Sequence, residues 1–182
     1  MLAAVRTAHH PRPARACRGL TLVELTIALV IAAMLGAMAL PSFAAMLQQR
    51  RLAAAAQALA ADLGEARQEA IRRGQPVTLR FGWRAADWCY ELVAGAGQSA
   101  PTDCTGADPR LLKRVRASDH PGITVVAAMP MTLAPDGATP LLQAPSTLLA
   151  NARGEQLRVR LSRLGRAAIC APAAAVGTTP RC

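Results

Sequence analysis

The residue with the clearest chemical consequence is a carboxylate that stands inside a long apolar run. Glu24 lies five residues after Gly19, and residues 25–47 then continue for 23 positions without a charge. A charged side chain inside a membrane span costs roughly 2.5–3.5 kcal/mol on insertion scales. Such a residue is a functional candidate by default, and we expect Glu24 to need a partner.

Cysteines form the second group of residues that could do chemistry. Five are present, and apart from Cys17 they form an even set of four without CxxC spacing: Cys89, Cys104, Cys170 and Cys182. This usage is typical of disulfides in an oxidising compartment rather than of a zinc site. Three pairings are possible, and proximity in sequence favours Cys89–Cys104 and Cys170–Cys182. Each bond would close a short loop, which stabilises a fold by ~3 kcal/mol in the chain-entropy model.

Arginine dominates the positive charge of this chain. Twenty of the 21 basic residues are arginine, and with 11 acidic residues the net charge is +10. The guanidinium group binds phosphate and carboxylate bidentately. A cluster near the C-terminus can therefore bind nucleic-acid phosphates by counterion release, and the alternative is a solvated strand face or a subunit contact. The cluster comprises Arg153, Arg158, Arg160, Arg163, Arg166 and Arg181, opposed in the last 32 residues only by Glu155.

Catalytic patterns find little support in the sequence. His120 is flanked by Asp119 and Pro121, but no nucleophile elbow, phosphate-binding glycine loop or metal-spaced ligand set accompanies it. We therefore expect no catalytic residue, no metal, no cofactor and no enzyme activity. His120 is predicted to lie in a loop.

The element that carries Glu24 is predicted to be a membrane-spanning helix. Residues 25–47 would form ~35 Å of helix, which is enough to cross a bilayer core. Four arginines precede the span and only Arg50 and Arg51 follow it closely, so the C-terminal part is expected outside the cytoplasm. A secretory signal cut after Ala39 is the rival interpretation. Glu24 and a helical pattern that continues past residue 39 argue against it.

An apolar stripe extends this helix well beyond the span. Its residues recur at spacings of four and three, and Glu69 and Arg73 form a favourable i,i+4 pair. We predict one helix from about Thr21 to about Arg73, ended by Gly74 and Pro76. Pro41 should kink it, because proline removes a backbone donor. The stripe comprises Leu52, Ala56, Leu59, Leu63, Ala66 and Ala70.

After Pro76 the pattern changes to alternation of apolar and polar residues, which indicates strands. Residues 95–101 are predicted to form a loop, and residues 130–145 are rich in proline and poorly patterned. Residues 163–166 make the turn of a C-terminal hairpin. The predicted strands are 77–81, 88–93, 111–115, 123–126, 146–150, 156–162 and 167–170.

The N-terminal motif Gly19-Leu20-Thr21-Leu22-Val23-Glu24 resembles the signal of type IV prepilins and pseudopilins. The resemblance implies that a prepilin peptidase cuts after Gly19 and that Leu20 becomes the N-methylated first residue. It also implies that Glu24 neutralises the N-terminal amine of a neighbouring subunit during assembly. Most members of the family have Phe or Met where this chain has Leu20.

The rest of the chain resembles the GspH/FimT branch of pilin-like proteins. Leu161-Ser162-Arg163-Leu164-Gly165-Arg166 followed by Cys170 is similar to the closing hairpin of that branch. The implied fold is α+β, with a long N-terminal membrane-anchoring helix packed on a small antiparallel β-sheet domain. The expected organisation is a leader (1–19), a transmembrane and filament-core helix (20–47), its amphipathic continuation (48–75) and an extracytoplasmic β-rich domain (76–182).

The resemblance implies a minor type IV pilin of the FimT/FimU kind, which joins or primes a pilus. Two alternatives stay open: the minor pseudopilin GspH of type II secretion, and a DNA-binding minor pilin for natural transformation. DNA binding in FimT-like pilins uses a Gly-Arg-x-Arg motif, whereas this chain reads Gly165-Arg166-Ala167-Ala168. The candidate DNA-binding residues are Arg158, Arg160, Arg163 and Arg166.

The same resemblance implies partners and a location. The expected partners are the prepilin peptidase, other pilins or pseudopilins, the inner-membrane assembly platform and, in the third alternative, DNA. The chain is expected to cross the bacterial inner membrane once, with its C-terminal domain in the periplasm, before it enters a pilus or pseudopilus.

Overall fold

One helix, α1, runs without interruption from Leu22 to Arg73, as the apolar pattern predicts. The computed structural model describes residues 21–84, 87–95, 104–140 and 144–182, with residues 38–41 described by their backbone alone. The predicted leader lies outside the described residues. Pro41 falls within α1, at the end of the first of two structural units, 1–41 and 42–182. The kink at Pro41 stays a prediction.

The second half of α1 buries the predicted apolar stripe. All six of its residues are buried, and Leu52, Leu63 and Ala70 are completely inaccessible to solvent. Three of the six residues are alanine, whose small side chain lets strands approach the helix axis closely. Gly74 ends the helix with a φ of +63°, a conformation that suits glycine at a helix C-terminus.

The last turn of α1 is closed by ion pairs around one carboxylate. Glu69 accepts hydrogen bonds from Arg72 and from Arg73, which includes the predicted i,i+4 pair. These hydrogen bonds hold the pKa of Glu69 at about 2, below its ordinary value of 4.5.

In the described part of the chain, eight strands form two four-stranded antiparallel sheets. The strands are β1 (Val77–Arg84), β2 (Asp87–Ala94), β3 (Leu111–Arg116), β4 (Ile123–Ala128), β5 (Met131–Leu133), β6 (Ser146–Asn151), β7 (Gln156–Leu161) and β8 (Ala167–Cys170). The first sheet has the order β3-β2-β1-β5, and the second has the order β4-β6-β7-β8. A short 3-10 turn, Ala117–Asp119, follows β3.

Both sheets and the stripe of α1 share a single apolar core. Alternate residues of each inner strand point into it, and they are buried together with the helix residues in one cluster. Because the chain is only 3% aromatic, aliphatic side chains provide most of this contact. The strand contributions include Leu79, Phe81, Leu92, Met131, Leu133, Leu149, Leu157, Val159 and Leu161.

Strand β5 falls in the proline-rich stretch, residues 130–145, to which the sequence pattern assigned no element. Met131–Leu133 is only three residues long and follows Pro130, so alternation has too few positions to show. It is nevertheless buried, because it pairs with Val77–Leu79 at the edge of the first sheet. All seven predicted strands are present, with ends that differ by up to three residues.

A buried ion-pair ladder crosses the first sheet on the face opposite the core. Arg80, Glu91 and Arg114 stand directly opposite one another on β1, β2 and β3. Glu91 is 1% exposed, and its two oxygens accept from Arg80 Nη2 at 2.8 Å and Arg114 Nε at 2.6 Å. Burying a carboxylate is tolerable only when it is paired in this way.

A disulfide-stapled connection covers that ladder. Cys89 of β2 is joined to Cys104 in the segment between β2 and β3. From the same segment, Asp108 Oδ2 accepts from Arg80 Nη2 at 3.1 Å, and the Gly106 carbonyl accepts from Arg114. The side chains of Arg80 and Glu91 are therefore shielded from solvent on the outer face of the first sheet.

A second disulfide, Cys170–Cys182, fixes the C-terminus beside β8. The Cys182 N–H donates to the Ala171 carbonyl at 3.0 Å, and the Ala171 N–H donates to the Pro180 carbonyl at 2.8 Å. Both disulfides join the pairs that sequence proximity favours.

Two glycines meet where the β7–β8 turn contacts the segment before β6. A Cβ atom on Gly165 would stand 1.9 Å from the carbonyl oxygen of Gly137. That oxygen also accepts from Arg67 Nε of α1 at 3.1 Å, and the Thr139 N–H donates to the Arg163 carbonyl at 3.0 Å. The hairpin turn is thus locked to the rest of the domain at a position where only glycine fits.

We predict that Gly165→Ala destabilises the domain by about 2–4 kcal/mol. The added methyl overpacks the contact, and alanine is strained at a φ of +67°. Gly154→Ala is the matched control, because Gly154 also has a positive φ of +80° but has open space around it, so it should cost only ~1–2 kcal/mol. Thermal unfolding of both variants measures the difference, and equal destabilisation would contradict the contact.

Candidate functional site

Glu24 lies in the first turn of α1, where Thr21 caps the helix. The Glu24 N–H donates to Thr21 Oγ1 at 3.2 Å, and the Leu25 N–H donates to the Thr21 carbonyl at 3.0 Å. This is one half of a capping box, and a carboxylate near a helix N-terminus is also favoured by the helix dipole. The cap was missed in our predictions, although Thr21-x-x-Glu24 is its sequence signature.

The Glu24 side chain is exposed, and its carboxylate makes no hydrogen bond or ion pair with any described residue. Every described residue from Thr21 to Ala37 is exposed as well. An 18-residue window of α1 has a mean hydropathy of 2.3, and none of it is buried. The Glu24 carboxylate therefore lies on an apolar surface that no described residue covers. Gly19 and Leu20, the predicted cleavage and methylation residues, lie outside the described residues.

Four of the six arginines in the predicted basic cluster lie on the hairpin of β7 and β8, whereas Arg153 lies in the β6–β7 turn and Arg181 follows β8. Arg158 and Arg160 alternate with the buried residues of β7, so they lie on the face of the second sheet that points away from the core. Arg158 is half-buried and Arg160 is exposed. Arg163 and Arg166 are exposed in the turn, one on each side of Leu164, which is 68% exposed.

The turn that carries these arginines is rigid. The Ser162 N–H donates to the Arg166 carbonyl at 2.9 Å, and the Gly165 N–H donates to the Ser162 carbonyl at 2.9 Å. Ser162 Oγ also accepts from the Arg166 N–H at 3.1 Å. The arrangement presents cations on a fixed hairpin, a geometry that suits phosphate or carboxylate groups.

Three polar side chains connect α1 to the first sheet. Asp62 of α1 is buried, and its carboxylate accepts from Tyr90 Oη at 2.8 Å and from Lys113 Nζ at 2.7 Å. Burial and the Asp62 carboxylate raise the pKa of Tyr90 far above its ordinary value. The hydrogen bond to Asp62 raises the pKa of Lys113. Lys113 is the single lysine of the chain, and no local sequence pattern predicts this role.

His120 takes part in packing. Its ring stacks on Trp88 with 6.2 Å between ring centroids, and Trp88 Nε1 donates to the Ile123 carbonyl at 2.8 Å. Within the described part of the chain no three His, Cys, Asp or Glu side chains are grouped as metal ligands would be.

Two protein-family models match the chain. The model described as type II transport protein GspH matches residues 55–165, from the buried half of α1 to the glycine of the hairpin turn. The chain belongs to the GspH family. The model described as the prokaryotic N-terminal methylation motif matches residues 14–40, which include Gly19, Leu20 and Glu24. A GspH-family chain with this motif is a type IV pilin-like protein that is processed by a prepilin peptidase and assembles with other pilins.

The fold of this GspH-family chain is shared with the type IV minor pilin FimU from Pseudomonas aeruginosa strain PAO1. The match to one crystal form has a TM-score of 0.51 at 17% sequence identity, and it covers 74% of this chain and 98% of FimU. A second crystal form matches with a TM-score of 0.47 at 19% identity, covering 70% and 98%. No curated protein sequence matches the chain. The likeness shows the fold, a long N-terminal helix with antiparallel sheets.

We predict that Tyr90 of this GspH-family chain ionises only when the domain unfolds. Tyr90 and Lys113 hold their protons more tightly in the folded domain than in the unfolded chain. Their contribution to the stability of the domain is therefore complete below their ordinary pKa values of 10.0 and 10.5, and it is lost as the pH rises further. Because the chain contains one tyrosine, tyrosinate absorbance reports this residue alone. Absorbance and circular dichroism should change together above about pH 10. Ionisation of Tyr90 near pH 10 without loss of structure would contradict the buried hydrogen bond.

Proposed function

We propose that this chain is a minor type IV pilin of the FimT/FimU kind, which is cleaved after Gly19, N-methylated on Leu20 and built into a pilus or used to prime one. The observation that carries the proposal is the continuity of α1 from Leu22 to Arg73. One helix joins the methylation motif at residues 14–40 to the GspH-family domain at residues 55–165. A removable secretory signal would not be continuous with the core helix of the mature domain.

The proposed organisation keeps the boundaries expected from the sequence: leader 1–19, span 20–47, amphipathic helix 48–75 and domain 76–182. The arginines of the leader stay in the cytoplasm under the positive-inside rule. The domain then lies in the periplasm, and its two disulfides support this side of the membrane because they persist in oxidising compartments.

The alternative within the family is the minor pseudopilin GspH of type II secretion. We favour the pilus for two reasons. Two disulfides close the domain at separate places, which suits a subunit that bears load outside the cell. The exposed basic hairpin also suits a surface presented to the exterior.

Glu24 is the proposed assembly contact. Its carboxylate has no described partner and is surrounded by exposed apolar residues. In a filament it would pair with the N-terminal amine of a neighbouring subunit. A misplaced subunit would leave a charge unpaired in an apolar setting, which costs about 3–5 kcal/mol for buried pairs that lose one partner. The pair therefore favours one register of assembly.

We predict that Glu24→Ala is inserted in the membrane and processed normally. Its incorporation into filaments should fall about ten-fold or more relative to the unsubstituted chain, because the N-terminal amine of a neighbouring subunit would be left unpaired. A deletion strain should be complemented in parallel with the unsubstituted gene, Glu24→Ala and Thr26→Ala. Quantitative immunoblots of membranes and sheared filaments measure insertion, processing and incorporation. Thr26→Ala is the control on the same helix and should assemble normally.

The same strains should be scored for twitching motility, protein secretion and transformation. The pilus proposal predicts loss of twitching with secretion intact. Loss of secretion alone would assign the chain to type II secretion, and normal incorporation of Glu24→Ala would refute the assembly role of Glu24.

DNA binding is a second candidate function, favoured by the arginines around the β7–β8 hairpin. Arg160, Arg163 and Arg166 are exposed, and Arg158 is half-buried on the same outer face as Arg160. The Gly-Arg-x-Arg motif is incomplete here, since Ala168 stands at its second arginine position. We propose that Arg163 takes the place of that arginine.

If the four arginines each contact one phosphate, the logarithm of duplex affinity should fall with the logarithm of salt concentration with a slope of about −3.6. Arg166→Ala should weaken binding and reduce the slope by about 0.9. Mobility shifts of the detergent-solubilised chain at several salt concentrations measure both quantities. Arg84→Ala is the control, because Arg84 is exposed at the end of β1 in the other sheet. Binding without salt dependence, or no binding, would exclude this function.

A further inference from the structure

The turn between β6 and β7 is attached to α1 at a defined level. Glu155 accepts from Gln49 Nε2 of α1 at 2.7 Å and from Asn151 Nδ2 at 2.7 Å. Asn151 Oδ1 in turn accepts from the Arg153 and Glu155 backbone N–H groups at 3.0 and 3.1 Å. Five residues, 151–155, therefore form a fixed turn beside Gln49.

This attachment places the turn that carries Arg153 beside the part of α1 that carries Arg50 and Arg51. All three arginines are exposed. Arg51 and Ala152 line the same small cavity between the helix and the turn. No described acidic side chain forms an ion pair with any of the three arginines. The nearest carboxylate in sequence, Glu155, has both oxygens engaged by Gln49 and Asn151.

The depth of these three arginines relative to the bilayer follows from their position along α1 and beside it. Gln49 comes two residues after Leu47, the end of the proposed span, which is ~3 Å along a helix axis. The headgroup layer on each side of the hydrocarbon core is ~5–8 Å thick. Phe43, Met46 and Leu47 are exposed apolar residues just below this level. Arg50, Arg51 and Arg153 would thus stand at the depth of the lipid phosphates.

We propose that, before assembly, Arg50, Arg51 and Arg153 bind the phosphate groups of anionic phospholipids in the outer leaflet of the inner membrane. The inference rests on the membrane span of the proposed function and concerns the unassembled subunit only. Arginine suits this contact because its planar fork engages phosphate oxygens bidentately. Arg153 connects the lipid surface to the β-sheets, so the contact orients the whole domain and must break when the subunit is extracted into a filament.

The test uses the full chain, reconstituted as a single copy in lipid nanodiscs of phosphatidylcholine alone or mixed with phosphatidylglycerol. Hydrogen–deuterium exchange of a peptide that contains residues 151–155 is the readout. Phosphatidylglycerol should slow this exchange, and Arg153→Gln should reduce the ratio of docked to undocked domain about five-fold. Raised salt should weaken the protection. Arg72→Gln is the matched control, because it removes the same charge ~33 Å away along α1.

Several outcomes overturn the proposal. Exchange that is equal in both lipids, or unchanged by Arg153→Gln, excludes a lipid contact by this turn. Equal protection by free inorganic phosphate in phosphatidylcholine discs assigns the site to a soluble anion. Protection that requires a second copy in the disc assigns it to a subunit contact. A chain that fails to remain with the discs contradicts the proposed membrane span. This outcome distinguishes failure of the proposed function from failure of the lipid-binding inference.

Discussion

The apolar surface of α1 is covered by protein in one half and by no described residue in the other. From Leu52 to Ala70 the stripe lies in a core shared with both sheets, whereas Thr21 to Ala37 are exposed throughout. Exposed apolar surface of this extent is unfavourable in water, so lipid or other subunits must cover it. Anchoring and assembly are two ways to satisfy the same requirement, and under the proposed function Glu24 is the polar group that distinguishes them.

The buried half of the helix is held by polar contacts as well as by aliphatic packing. Asp62 connects it to Tyr90 and Lys113, and Arg67 connects it to Gly137. Glu91 pairs with arginines on both neighbouring strands beneath a disulfide-stapled segment. These contacts are directional, so they fix how α1 lies on the sheets. A pull applied through the helix is therefore transmitted to the domain as a unit.

The parts of this fold that could be predicted from the sequence are those encoded by local pattern. Helix periodicity gave α1 almost to the residue, and alternation gave seven strands. Strand β5 was not predicted, because Met131–Leu133 is too short to show alternation. The division of strands between two sheets could not be predicted either, because it depends on pairings between residues that are distant in sequence. The contact of Gly165 with Gly137, and the choice of Lys113 as the partner of Asp62, exist only after the chain has folded.

The candidate sites also differ in whether they depend on local sequence or on contacts made only in the folded chain. The segment from Gly19 to Glu24 and the arginines of the closing hairpin each lie close together in sequence, so local pattern was enough to propose a role for them. The buried ladder of Arg80, Glu91 and Arg114 could not, because it depends on the register of three strands. The same is true of Arg153, which reaches the level of Arg50 and Arg51 only through the hydrogen bonds of Glu155.

Mass spectrometry of filaments sheared from the cell surface tests the central claim most directly, because it reads the N-terminus of the assembled subunit. The account predicts a mature chain that begins at N-methylated Leu20 and carries the Cys89–Cys104 and Cys170–Cys182 disulfides. A chain in the filaments that begins after Ala39 or retains residues 1–19, or filaments that contain no copy of this chain, would contradict it.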